Sequence, residues 1–446
     1  MENKKAGFSS RLGFILAAAG SAVGLGNLWR FPYLAAKYGG GIFLFVYLIL
    51  AVTFGFALML TEITLGRKTG KSCIGAFAAL NKKWSFIGYI AALVPIIIFP
   101  YYCVIGGWVT KFLVVFATGN GGPAASDSYF GGFTSKVGEP LIFLSIFLVL
   151  TALIIMGGVQ KGIEKVSKIL MPVLVVMTIG IAVYSITLDG AWDGFIYYVK
   201  PNFNDLSIKT VVAAMGQLFY SMSLAMGIMI TYGSYMNKED DLERSVRHIE
   251  IFDTGIAFFA GMMIIPAVFA FSNGDTSKLQ AGPKLMFITL PKVFDSMAGG
   301  QIIGALFFLL VFFAALTSAV SLMETILSIA MEKLHISRIK GSIAILILAF
   351  IIAIPSSLGF GVLSWLTPLK LDILSFFDFI SNNILMPIVG LLTCLFVAYI
   401  VKPKAIEDEV NSSGKFKALG MYKVMIRFVA PLFLVVILIS SIIGYV

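Results

Sequence analysis

Gly20-Ser21-Ala22-Val23-Gly24-Leu25-Gly26-Asn27 stands in the middle of an apolar run long enough to cross a membrane, and it makes a poor helix. A glycine inside a helix costs up to about 1 kcal/mol relative to alanine. A lone one ordinarily marks close packing, because membrane helices touch through small residues. Three glycines within seven residues, closed by an asparagine, favour a broken helix instead. A later apolar run carries a similar weak centre, Ser221-Met222-Ser223-Leu224-Ala225-Met226-Gly227. A break at mid-membrane frees backbone N–H and C=O groups that lipid cannot satisfy, so it survives only where it lines a polar cavity or binds something. Exposed half-helix N-termini suit a carboxylate, and freed carbonyls suit a cation.

The chain around these breaks is built for lipid. Of its 446 residues 59% are hydrophobic and 13% charged, about half the charged share of a soluble domain. Apolar runs predict eleven spans near 12–36, 41–66, 86–116, 140–158, 166–187, 209–235, 250–272, 298–331, 341–358, 373–401 and 424–445. Each covers a hydrocarbon layer of about 30 Å. A transmembrane β-barrel would show short alternating segments instead. The expected fold is therefore an all-α polytopic membrane protein forming one transmembrane unit over residues 1–446. The breaks fall in spans 1 and 6, which are equivalent positions if spans 1–5 (residues 8–187) and 6–10 (209–401) are inverted repeats. Span 11 (424–445) is then an addition. Broken helices at matching places in two halves point to a transport site.

The net charge of +10 does not indicate nucleic acid, because the basic residues sit in short loops between spans. With the N-terminus inside, the inner segments hold 23 of the 33 Lys and Arg residues. That bias predicts a cytoplasmic N-terminus and, with an odd number of spans, an outside C-terminus, in the inner membrane. Lys4, Lys5 and Arg11 before Ala17-Ala18-Ala19-Gly20 resemble a signal peptide, but the residues that follow argue against cleavage. Cys73, Cys103 and Cys394 fall at different spans and are expected as free thiols. His248 and His335 are expected in inner loops, without the convergent ligands of a metal site. No nucleophile–base pair suggests an enzyme.

Ionisable residues within spans are costly and count as functional candidates. They are Arg30 and Asp378 at the outer ends of spans 1 and 10, Glu62 in span 2, Asp253 in span 7 and Glu324 in span 8. The adjacent hydroxyls Thr317 and Ser318 in span 8 either back-bond to their own helix or offer oxygen to a hard cation. Glu62 could simply satisfy amides freed by a break.

The run RLGFILAAAGSAVGLGNLWRFP from Arg11 to Pro32 resembles the first helix of the neurotransmitter:sodium symporters, for which the inverted repeat is itself a reference case. Further matches are Gly39–Gly41, Tyr101-Tyr102, Gly162–Glu164 (GIE), Thr231–Tyr235 (TYGSY) and Ala314–Ser318 (AALTS), spread from residue 5 to about 395. The similarity is to bacterial, amino-acid-transporting members with eleven spans. It implies two sodium ions and no organic cofactor. One ion would meet the carbonyls of Gly20, Val23 and Ala314 and the hydroxyls of Thr317 and Ser318. The other would meet the carbonyl of Ala22, the side chains of Asn27, Ser221 and Asp253, and the substrate carboxylate. The substrate would also meet the backbone of Leu25 and Gly26, the Tyr102 hydroxyl, and a pocket of Ile98, Tyr220, Ser223, Met226, Ser318 and Leu322, with Ala22 and Ser221 beside it. Arg30 with Asp378 would form an outer gate, and Lys5 with Glu332, near Tyr235, an inner one.

Gly24 stands where amine-transporting relatives carry an aspartate, which favours amino acids. Tyr47, Gln217 and Ser221 match chloride-site positions, but Ala257 replaces the usual serine and Asp253 the usual asparagine, so chloride is expected to be unnecessary. Gly162 and Pro172, nine residues apart, are expected to let the inner half of span 5 unwind, since proline removes a backbone donor. Lys5 departs from the family's usual arginine. The adaptable thioether of Met226 suits varied side chains. The expected activity is sodium-coupled symport of a small neutral, apolar L-amino acid, aliphatic or aromatic, by alternating access. The competing expectation is a proton-coupled transporter of the same fold, whose relatives place a lysine in span 5, where this chain has none between Ile169 and Thr187.

Overall fold

The computed structural model describes residues 7–272, 274 and 282–443. The first expected span is two helices, α1 (Arg11–Ala22) and α2 (Gly26–Lys37), bent by 51° at residues 23–25. Then come α3 (Gly41–Thr69), a short helix α4 (Cys73–Leu80), α5 (Lys82–Ala117), α6 (Gly138–Met156) and α7 (Val159–Ile186). A short helix, α8 (Ala191–Val199), precedes α9 (Ile208–Ser221) and α10 (Ile228–Gly233). Further along are α11 (Leu242–Ser272), α12 (Gly300–Leu334), α13 (Arg338–Leu358), α14 (Ile373–Val401), a short amphipathic helix α15 (Pro403–Asn411) and α16 (Leu419–Ile443). Shorter helices lie at Asp127–Thr134 and Leu290–Ser296.

Among the described residues, nine helices are long and apolar enough to cross a membrane, and the bent α1–α2 pair makes a tenth. The expected sixth span is not one such helix: α9 and α10 are separated by residues 222–227. Span 10 lies where the apolar run placed it. Others begin earlier than expected at the end nearest the N-terminal segment: α7 starts at Val159 rather than 166, and α11 at Leu242 rather than 250. Apolar patterning marks the hydrocarbon layer, whereas a helix continues past it into polar turns. His248, expected in a loop, therefore lies on α11.

Burial grades from centre to edge. In α5, 78% of the most apolar window is buried, in α16 only 22%. α12 packs along α5, α7 along α11, and both α1 and α7 against α12, so the first break lies inside the bundle. At the end of the bundle that holds the N-terminal segment, the Ser10 side chain caps α1 by accepting from the Gly13 N–H. Glu164 on α7 accepts from the Ser9 N–H at 2.7 Å, the Ser9 hydroxyl at 2.6 Å and Lys168 at 2.6 Å. The Phe8 N–H donates to the Tyr235 carbonyl at 3.0 Å. The start of α1 is thus sewn to α7 and to the segment after α10. The three cysteines are free and buried.

Candidate functional site

Both weak stretches are open. Val23 leaves the helical region (φ −73°, ψ 97°) at the end of α1. Between α9 and α10 the chain alternates through the left-handed region, with Ser223, Ala225 and Gly227 at φ 53°, 60° and 72°. Glycine tolerates that conformation, but serine and alanine in it are strained by about 1–3 kcal/mol each. The surroundings hold them there. The Ala225 N–H donates to Glu62 Oε1 at 2.6 Å, and the Ser223 hydroxyl donates to the Ser21 carbonyl at 2.9 Å. Glu62 therefore serves the freed amide.

The two breaks face one cavity of about 370 Å³. All eleven residues expected at the substrate line it: Ala22, Leu25, Gly26, Ile98, Tyr102, Tyr220, Ser221, Ser223, Met226, Ser318 and Leu322. Gly24 lines it too, and a Cβ there would stand 2.7 Å from the Ser318 hydroxyl and 3.3 Å from that of Tyr102. A Cβ at Gly26 would stand 2.8 Å from the Tyr220 ring. Bare backbone therefore forms this wall. The Tyr102 hydroxyl is buried without a hydrogen-bond partner, a donor left for a guest. Ser21 and Ile228 also line the cavity. Neither was expected, although Ser21 brings a hydroxyl to the first break, a signal available in the quoted run.

Next to the cavity is a buried acidic cluster. Asp253 Oδ1 accepts from Asn27 Nδ2 at 2.8 Å and from the Ser221 hydroxyl at 2.8 Å, and Oδ2 accepts from Tyr47 at 3.3 Å. Asn27 Oδ1 accepts from the Gly24 N–H at 3.2 Å. Gln217 donates to the Gly26 carbonyl at 2.9 Å. A fully buried carboxylate without a cationic side chain in this cluster is an arrangement a cation would complete. Part of the other expected cation set also comes together. Thr317 lies against Gly20, the Cβ position of Gly20 standing 3.3 Å from that of Thr317. The Thr317 hydroxyl back-bonds to Phe313 and Ala314 at 3.1 Å, while that of Ser318 crosses to the Ser21 carbonyl at 3.1 Å. Val23 is fully buried at the break. On α7 it is Met171, not a charged residue, that meets this place, its Sδ 3.3 Å from the Gly20 Cβ position.

The expected gates are arranged differently. Arg30 lies over the Tyr220 ring, 5.2 Å from its centroid, while Asp378 accepts from Tyr101 at 3.1 Å and Asn382 at 2.6 Å. No ion pair joins Arg30 to Asp378 directly. Beside the N-terminal segment, Tyr235 donates to Glu324 at 2.7 Å, and Arg338 holds Glu324 with two bonds of 2.7 and 2.8 Å. Glu332, expected near Tyr235, instead accepts from the Ser72 N–H at 2.7 Å at the start of α4. α12 explains this: Glu324 and Glu332 are two turns apart, too far along the helix to meet the same partner. Lys5 lies outside the described residues.

A family model described as the sodium:neurotransmitter symporter family matches residues 5–121 and 132–446. The chain is 34% identical to the sodium-dependent transporter YhdH of Bacillus subtilis over 99% of this chain and 98% of that one. It is 32% identical to a sodium-dependent transporter of Haemophilus influenzae over 97% of each. The crystal structure of MhsT in complex with L-phenylalanine superposes with a TM-score of 0.88 at 37% identity, covering 98% of this chain and all of the other. Two broken helices around one cavity, a buried carboxylate beside it and a likeness running nearly end to end lead to one conclusion: this chain is a multi-pass membrane protein belonging to the sodium:neurotransmitter symporter family.

Proposed function

We propose that the protein is a sodium-coupled symporter of a neutral, apolar L-amino acid, working by alternating access, with two sodium ions and no requirement for chloride. The observation that carries this reading is the Asp253–Asn27–Ser221 cluster set directly beside a cavity walled by the bare backbone of Gly24 and Gly26. The substrate carboxylate would lie against the backbone of Leu25 and Gly26 and take the free Tyr102 hydroxyl. It would also complete the cation shell of Ala22, Asn27, Ser221 and Asp253, so neither guest binds fully without the other. The second ion would take Gly20, Val23, Ala314, Thr317 and Ser318. The substrate side chain would sit among Ile98, Tyr220, Ser223, Met226 and Leu322. These offer no ion-pair partner, and the bound L-phenylalanine of MhsT is a ligand of that class. Residues 8–187 and 209–401 would rock as two related halves, with the N-terminus cytoplasmic and the C-terminus outside in the inner membrane.

The proton-coupled reading needs an amine beside Thr317 and Ser318. Met171 stands there, and a thioether carries no proton. The test is binding of a panel of radiolabelled amino acids by the purified protein, in sodium and then in potassium, followed by uptake into liposomes. Saturable binding of an apolar amino acid in sodium alone is expected. Binding that ignores sodium and tracks pH would overturn the ion assignment.

A further inference from the structure

Helix α8 has three faces. At about 100° per residue, Ala191, Gly194 and Tyr198 point together, and all three are buried. Gly194 meets α11 so closely that a Cβ there would stand 2.7 Å from Phe269 and 3.0 Å from the backbone of Pro266. The Tyr198 hydroxyl donates to the Phe258 carbonyl at 2.9 Å. Trp192, Ile196 and Val199 share a second face about 60° wide, and all three are exposed, Trp192 by 58%. Asp193 and Lys200, also exposed, share a third face with Tyr197. Core on one side, apolar exposure on the next and charge on the last is the pattern of a helix lying in a membrane–water boundary.

The elements beside α8 expose further apolar residues. Phe45, Leu48, Ile49 and Val52 form an exposed stripe on α3 at helical spacing. Phe203, 61% exposed and just beyond α8, packs edge-to-face on Phe45 with centroids 5.8 Å apart. Ile208, which opens α9, is 83% exposed. All this lies at the far end of α7 from Gln160 and Glu164, which hold the N-terminal segment.

The same arm grips the turn between the first and second spans. The Tyr197 hydroxyl donates to the Ala36 carbonyl at 2.7 Å, and Gly40 pairs with Pro201 in an antiparallel bridge. A Cβ at Gly40 or Gly41 would strike the backbone of Tyr197 or Lys200, so the triple glycine is what lets the arm close on α2. The arm then runs directly into α9.

We propose that α8 is an interfacial arm seated at the headgroup–acyl boundary of the leaflet remote from the N-terminus. Lipid is its partner, and through the arm the bilayer surface bears on the outer halves of both broken spans. Tryptophan at that depth is the ordinary interfacial anchor. Trp192 emission, read as the difference between the parent and Trp192→Phe, tests this in liposomes of the full chain. It should be lost to phosphatidylcholine brominated near the headgroup end of its acyl chains and be unaffected by iodide. Ile196→Asp should weaken that bromolipid quenching while leaving sodium-dependent amino-acid binding in detergent unchanged. Quenching by iodide in place of bromolipid would put the face in water and overturn the proposal. Quenching by neither would mean that protein, such as a second copy of this chain, covers the face, and would overturn it equally.

Discussion

Single atoms decide what enters the cavity. Gly24 is confined between Ser318 and Tyr102, so a methyl group there must displace one of the two hydroxyls. Gly24→Ala should therefore weaken amino-acid binding at least about tenfold, the equivalent of one lost hydrogen bond to a charged guest. Equilibrium binding of the labelled substrate in saturating sodium checks this, and unchanged affinity would mean the carboxylate lies elsewhere. Asp253 supplies the buried negative charge of the cluster. Uptake by the parent should be unchanged when gluconate replaces chloride. Asp253→Asn keeps the shape and removes the charge. It should raise the half-saturating sodium concentration about tenfold or more, matching a loss of about 1.5–3 kcal/mol. Sodium titration of uptake in each anion reads both.

Among the elements, α7 carries the conformational question. Pro172 stands inside it without a donor for the carbonyl four residues back, yet the segment is helical from Val159 to Ile186. Its first turns are held by Glu164, which binds Ser9, Ser10 and Lys168, and Met171, beside the proline, lies against Gly20. Unwinding there would carry Met171 away from the Thr317–Ser318 side of the site. Pro172→Ala restores the missing bond. It should slow uptake several-fold while shifting binding affinity by less than about twofold, because a residue that acts through an opening step changes rate more than ground-state binding. Equal loss in both would exclude an opening role.

Across the whole molecule, one buried arginine ties α3 to the loop before α11 and to α15. Arg67, at the end of α3, donates to Glu409 Oε1 at 2.9 Å and to the Glu409 carbonyl at 2.7 Å. It also donates to the Asp240 carbonyl at 2.8 Å and to Ser412 and Ser413 at 3.0 Å. α3, the loop before α11 and α15 thus share one partner. Burial pushes the Glu409 carboxyl up, but hydrogen bonds from Lys238 and Arg67 outweigh it and hold the group below the usual carboxylate range. A carboxyl lowered in the folded state adds stability that is present above its unfolded value near 4.5 and is lost as pH falls through its folded one. Arg67→Met should lower thermal stability by up to about 3–5 kcal/mol. Glu409→Gln should shrink the loss of stability on acidification. Thermal unfolding of the purified variants across acid pH measures both, and an Arg67→Met protein as stable as the parent would show the clamp to be idle.

The sequence by itself determined the membrane class, the placing of nearly all the spans and both breaks, whereas the residues around the cavity followed from the resemblance to the symporter family. Those signals are local: apolar length reports the hydrocarbon layer, and glycine or polar atoms in mid-span report freed backbone. Glu62, for example, was readable as a partner for a freed amide, and it takes the Ala225 N–H. Only the tertiary structure decided which distant charges meet. Tyr235 reaches Glu324 and not Glu332, Arg30 lies on Tyr220 and not on Asp378, and Met171 faces Gly20. Pairing depends on how two helices are rotated and shifted against one another, which packing of the whole bundle sets and no span encodes alone. The three faces of α8 have the same origin. Residues 191–199 fall between two expected spans, and it is the packing of α11 over one side of α8 that leaves Trp192 bare.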